Sequence, residues 1–152
     1  MKTVLYLHGL NSKPGGNKPR FIEKHGYRVL NPALPKNSWD DSIQIAQNLV
    51  LKEKPDVLVG SSRGGAVAMS VNTNGAPLVL VSPAWNRFKV PTNIPPSSVI
   101  IAPPDDKIVP TSDSKFLSSE CRGTFICAGN NHRMNSQDAL EAIVDAIAWV
   151  LR

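Results

Sequence analysis

Three short runs, Val57-Leu58-Val59, Leu78-Val79-Leu80-Val81 and Val99-Ile100-Ile101-Ala102, contain no polar residue at all. A strand with one wet face alternates apolar and polar side chains, so an unbroken run of β-favouring residues belongs to a strand covered on both faces. Strands of that kind occur in parallel sheets whose crossover helices pack on each side. Apolar runs and helical stretches alternate along the whole chain, which predicts an α/β protein, a three-layer α/β/α sandwich of about six mainly parallel strands. They are expected near residues 3–7, 27–31, 57–60, 77–81, 98–102 and 124–128.

Two of the intervening helices carry their own punctuation. Ser38 can cap a helix in which Ile43, Ala46, Leu49 and Val50 share one face, and Pro55 stops it near Lys54. The last helix starts at Asn135 or Ser136 and places Leu140, Ile143, Val144, Ile147 and Leu151 on a core stripe. The segment 82–96 is rich in proline, lacks regular periodicity and holds Trp85 and Phe88.

At 152 residues the chain reads as one domain, 1–152. No stretch approaches the roughly 20 apolar residues of a membrane span, and the N-terminus lacks the pattern of a signal peptide, so a cytoplasmic protein is expected. Cys121 and Cys127 form no C-x-x-C pair and read as free thiols. The net charge of +5 is dispersed along the chain rather than gathered in a basic run, which predicts a solvated basic surface and no nucleic-acid partner. A monomer or weak homo-oligomer is expected.

The residues that carry chemistry sit just after the expected strands. Gly60-Ser61-Ser62-Arg63-Gly64 is a G-x-S-x-G between an apolar strand and a helix-prone segment. A serine hydroxyl is a weak nucleophile unless a tight turn lifts it above the sheet and a base takes its proton, and small neighbours permit that turn. Ser62 is therefore the candidate nucleophile. The helix that follows offers unpaired N–H groups to a developing oxyanion. The backbone N–H groups of Arg63 and of Leu10, in the His8-Gly9-Leu10 turn, are the expected donors; the His8 side chain itself reads as a local packing or hydrogen-bonding group.

Beyond the fifth strand, Asp105 and Asp106 precede Val109-Pro110, and Asp106 has the favoured spacing for the acid that orients a histidine. Gly129-Asn130-Asn131-His132 follows the sixth strand and can present His132 as general base. The order Ser62, Asp106, His132 is the order of a Ser-Asp-His triad in an α/β hydrolase, each residue at the carboxyl end of a strand, where ligands bind in open α/β sheets. The run 12–18, with Gly15, Gly16 and Lys18, fails the spacing of a phosphate-binding P-loop, so nucleotide binding is not expected. No cofactor and no metal enter this reading.

Taken together, the segments Tyr6-Leu7-His8-Gly9-Leu10-Asn11-Ser12, Gly60-Ser61-Ser62-Arg63-Gly64-Gly65, Asn31-Pro32 with Leu34-Pro35, Ser82-Pro83-Ala84 and Gly129-Asn130-Asn131-His132 resemble the small, lidless esterases of the α/β-hydrolase superfamily, and most closely the YqiA-like group. The resemblance implies a minimal α/β-hydrolase sheet in strand order 2-1-3-4-5-6, without a lid, and a serine esterase acting on short acyl esters. It departs from the group at Arg63, where an apolar residue is usual. Two readings of Arg63 follow: a salt bridge to Asp105 or Asp106, or recognition of an anionic substrate. Arg63, Trp85 and Phe88 are the expected substrate-binding side chains, and a small-molecule ester is the expected partner. A thioesterase or small peptidase on the same triad is the alternative, as is a hydrolase-fold binding protein without turnover.

Overall fold

A computed structural model describes residues 1–152. Six strands form one sheet: β1 (Thr3–Leu7), β2 (Arg28–Leu30), β3 (Val57–Ser61), β4 (Leu78–Val81), β5 (Val99–Ala102) and β6 (Thr124–Cys127). All five pairings are parallel, and the spatial order is β2-β1-β3-β4-β5-β6. Both the order and the parallel pairing are those expected from the sequence.

The helices are α1 (Asn17–Lys24), α2 (Trp39–Glu53), α3 (Arg63–Ser70), α4 (Thr111–Cys121) and α5 (Gln137–Val150). Alternation along each buried strand sorts the core into two layers. Leu5, Leu7, Leu58, Leu78, Leu80 and Ile100 point to one face and meet Ala46 and Val50 of α2, Val67 and Ala68 of α3, and Leu117 of α4. Val4, Tyr6, Val57, Val59, Val79 and Val81 point to the other, against Ile22 of α1 and Ala139, Ile143 and Ile147 of α5. Leucines thus fill the face that takes three helices, and the smaller valines most of the face that takes two. The apolar runs carry no polar residue because neither face is wet. Only the edge strands β2 and β6 keep partly exposed residues.

Local signals behave as their chemistry requires. Ser38 Oγ accepts the Asp41 N–H at 3.1 Å and caps α2, which ends at Lys54 in the left-handed conformation (φ 48°). Ser136 precedes α5 as its N-cap residue. Residues 82–98, between β4 and β5, contain no helix or strand. No helix is long and apolar enough to cross a membrane.

Candidate active site

Ser62 occupies the bend between β3 and α3, with φ 57° and ψ −118°. A non-glycine residue in this region carries strain of order 1–3 kcal/mol, which its surroundings must hold in place. They do so through the backbone: the Ser62 N–H donates to the Val81 carbonyl at 2.9 Å, and the Ser62 carbonyl accepts from Gly65, Ala66 and Ala84. The flanking glycines are required by approach. A Cβ on Gly64 would lie 2.0 Å from the Leu7 carbonyl oxygen, and one on Gly60 would lie 2.4 Å from the Gly64 oxygen. Helix α3 therefore starts in contact with the backbone of its own strand and of β1.

Above this bend His132 Nε2 lies 2.9 Å from Ser62 Oγ, and His132 Nδ1 lies 2.8 Å from Asp106 Oδ2. With Nδ1–H donating to the carboxylate, Nε2 is left as the acceptor for the serine hydroxyl. The other carboxylate oxygen, Asp106 Oδ1, accepts the N–H groups of Ile108 (2.8 Å) and Val109 (2.9 Å). Burial raises the Asp106 carboxyl, but the hydrogen bonds from His132 and from these two amides outweigh it, and the group sits below its ordinary range. Thr111 closes the loop beneath, its Oγ1 accepting from the Asp106 N–H and donating to the Pro103 carbonyl.

Asp105, the other carboxylate of the pair, points to solvent and bonds Lys107 at 2.7 Å. The structure thus brings Ser62, Asp106 and His132 together and leaves Asp105 aside. The His132 loop is fastened at both ends. Asp138 accepts the Gly129 N–H at 2.9 Å, and Lys18 Nζ donates to the Arg133 carbonyl and to Asn135 Oδ1.

Neither the Leu10 nor the Arg63 N–H finds an acceptor within the protein. His8 supports the first of these turns: its Nε2 accepts the Leu34 N–H at 2.9 Å, so its proton sits on Nδ1, which donates to the Gly9 carbonyl at 2.8 Å. This is the local hydrogen-bonding role expected of it.

Two expectations are corrected. Arg63 makes no salt bridge to Asp105 or Asp106. Its guanidinium is buried and donates to the carbonyls of Pro35 (3.2 Å) and Ser38 (3.4 Å) and to Ser42 Oγ (3.1 Å), with the Trp39 and Phe88 rings 5.5 and 6.0 Å away. The reason is positional: the first residue of α3 faces the start of α2, not the acid loop. Trp85 does not line either cleft beside Ser62; its indole donates to the Asp113 carbonyl at 3.0 Å and stacks on Phe116, which ties the 82–98 connection to α4.

Ser62 stands where two open clefts meet. One, of about 510 Å³, is polar and bounded by the β1–α1 turn, by Arg87 and by the loop carrying His132 and Arg133. The other, of about 380 Å³, is lined by Trp39, Phe88, Ala84, Val109 and the edge of Arg63. Phe88 thus lies at the site, stacked on Trp39 at 4.9 Å. Trp39, Arg87 and Arg133 are neighbours that sequence reasoning did not single out, and Lys18 entered it only as part of a run that fails the P-loop spacing. For Trp39 a signal existed, an aromatic at the first position of a helix that starts on the carboxyl edge of the sheet.

Strand order, helix placement and the bend at Ser62 together define an α/β-hydrolase fold. The same fold is seen in solved structures of a hydrolase of the α/β superfamily from Xanthomonas campestris (20% identity, TM-score 0.73, covering 99% of this chain and 98% of that one) and of the ydeN gene product from B. subtilis (17%, 0.79, 99% and 98%). Est1E from Butyrivibrio proteoclasticus is similar at 14% identity and TM-score 0.80, with 99% of this chain and 88% of that one covered. Within that fold class, residues 3–93 match the family described as Uncharacterised protein family UPF0227, and the chain belongs to this YqiA-like family.

Proposed function

We propose that the protein is a serine hydrolase of the carboxylesterase type, one catalytic domain acting on small soluble acyl esters, with Ser62 as nucleophile, His132 as general base and Asp106 as its orienting acid. The observation that carries this reading is the unbroken chain from Ser62 Oγ through His132 to Asp106, with contacts of 2.9 and 2.8 Å. His132 Nε2 takes the hydroxyl proton as Ser62 Oγ bonds to the acyl carbon. The imidazolium so formed is stabilised by the buried Asp106 carboxylate, and the oxyanion is held by the Leu10 and Arg63 N–H groups.

As the tetrahedral intermediate collapses, the bond to the leaving oxygen breaks and His132 returns the proton to it. A water then attacks the acyl-enzyme with His132 again as base, and Ser62 leaves with its proton restored. Preference for small substrates is supported by the two open clefts that meet at Ser62. A reducing, cytoplasmic setting is supported by two cysteines that remain unpaired.

The test is labelling with a fluorophosphonate probe. Wild type is expected to be labelled at Ser62, and Ser62→Ala not at all; equal labelling of both, or labelling of neither, overturns the assignment.

A further inference from the structure

The larger cleft beside Ser62 has a basic lining. Lys13, Lys18, Arg87 and Arg133 line it, and no aspartate or glutamate does. The smaller cleft adds Lys36 and the edge of Arg63, again without a carboxylate. Three cations outside the clefts are ion-paired: Lys2 with Asp56, Arg28 with Glu53 and Lys107 with Asp105. The one carboxylate near the centre, Asp106, is fully enclosed and taken up by His132 and two amides.

Lys18 is the most constrained of these cations. Two neutral oxygens, the Arg133 carbonyl and Asn135 Oδ1, hold its ammonium, and an ammonium has three N–H donors. The Arg133 guanidinium makes no hydrogen bond or ion pair within the protein, so its fork of donors is free. Burial and the nearby Arg133 pull Lys18 down to about 8. A solvated basic face spreads its charges apart; here like charges converge in a concavity with no carboxylate in its lining. Concave walls also strengthen the field on any ligand that enters.

We propose that the cleft beside Ser62 is a seat for an oxyanion on the substrate, a carboxylate or phosphate held by Lys18 and Arg133, so that the ester cleaved is an anionic one. The seat rests on the serine-hydrolase reading for its role in turnover, but binding tests it separately. Arg133 offers the planar fork that carboxylates and phosphates accept in bidentate fashion, and Lys18 adds a point charge. Arg63, already satisfied by Pro35, Ser38 and Ser42, is not the reader of that charge.

The test compares 4-nitrophenyl butyrate with mono-4-nitrophenyl glutarate. Wild type is expected to favour the glutarate by at least about tenfold in kcat/KM at low salt, the preference shrinking as salt screens it. Arg133→Gln is expected to cut the ratio of the two by about tenfold, and the distant Lys115→Gln to leave the ratio as it is. Equal ratios in wild type and Arg133→Gln overturn the proposal. Binding is read in Ser62→Ala, where no turnover intervenes: monomethyl glutarate should bind at least about tenfold more tightly than dimethyl glutarate, and 2-acetoxyethyl phosphate shows whether phosphate is preferred over carboxylate. Indifference to charge in a protein that is labelled at Ser62 removes the oxyanion seat alone. Tight binding of the monoanion by a protein that is never labelled removes the hydrolase reading alone.

Discussion

Ser62 pays for its position with its own backbone. At φ 57° and ψ −118° it stands where glycine is at ease and serine is not, and four backbone hydrogen bonds, with Val81, Gly65, Ala66 and Ala84, keep it there. Ser62→Gly should therefore be more stable than Ser62→Ala by about 1 kcal/mol, because only glycine relaxes in this region, while both variants lose activity. Thermal or denaturant unfolding of the pair reads this directly, and an alanine variant as stable as the glycine one would mean that the bend stores no strain. Asp106 makes a second residue-scale prediction. Asp106→Asn keeps the shape but presents an amide to His132, favouring the imidazole tautomer with its proton on Nε2, which cannot accept from Ser62. A fall in kcat of roughly 10⁴-fold with little change in KM is expected. A loss below about tenfold would deny Asp106 its orienting role.

At the scale of elements, the packing of α3 on β1 decides whether the bend exists. The absent Cβ of Gly64 would fall on backbone atoms of Leu7 and His8, which no rotamer change can move aside. Gly64→Ala is expected to cost about 3 kcal/mol or more, or to leave no soluble folded protein, whereas Gly15→Ala, in open space though at φ 86°, should cost less. Comparing urea midpoints of the two variants checks the order. These elements were legible because their causes are local. Unbroken Val/Leu runs announce doubly covered strands, Ser38 announces the start of α2, and glycines around Ser62 announce the bend. The partners of Arg63 were not legible. An arginine after the nucleophile suggests a carboxylate, and nothing local says that the first turn of α3 meets the carbonyls of Pro35 and Ser38. Trp85 misled in the same way: an aromatic in an irregular segment at the sheet's edge can face the site or face away, and only its bond to the Asp113 carbonyl on α4 decides which.

Across the whole molecule, the charge that looks dispersed in sequence is gathered in space. Lys18 stands at the start of α1 and Arg133 beyond β6, strands apart in the sheet, yet their loops meet above its carboxyl edge and the two side chains line one cleft. A run of basic residues would have advertised such a site; a meeting of two loops does not. This arrangement gives the oxyanion seat a pH dependence of fixed sign. Arg133 and the neutral Asn135 adjoin Lys18, and the cleft it lines also holds Lys13, Arg87 and the imidazole of His132, with no carboxylate among them. Its proton, held with a value near 8, is present below that pH and lost above it. The kcat/KM of the free enzyme for an anionic ester, divided by that for its neutral counterpart, should therefore be highest below pH 8 and decline above it. At complete loss of the Lys18 proton the decline approaches about tenfold, the worth of one charged hydrogen bond. Taking the ratio cancels whatever the triad contributes, since both esters share it. A ratio that stays level from pH 7 to 9.5 in wild type would mean that the Lys18 ammonium does not touch the anion. A ratio that declines in wild type but stays level in Lys18→Gln would assign the titration to this one side chain.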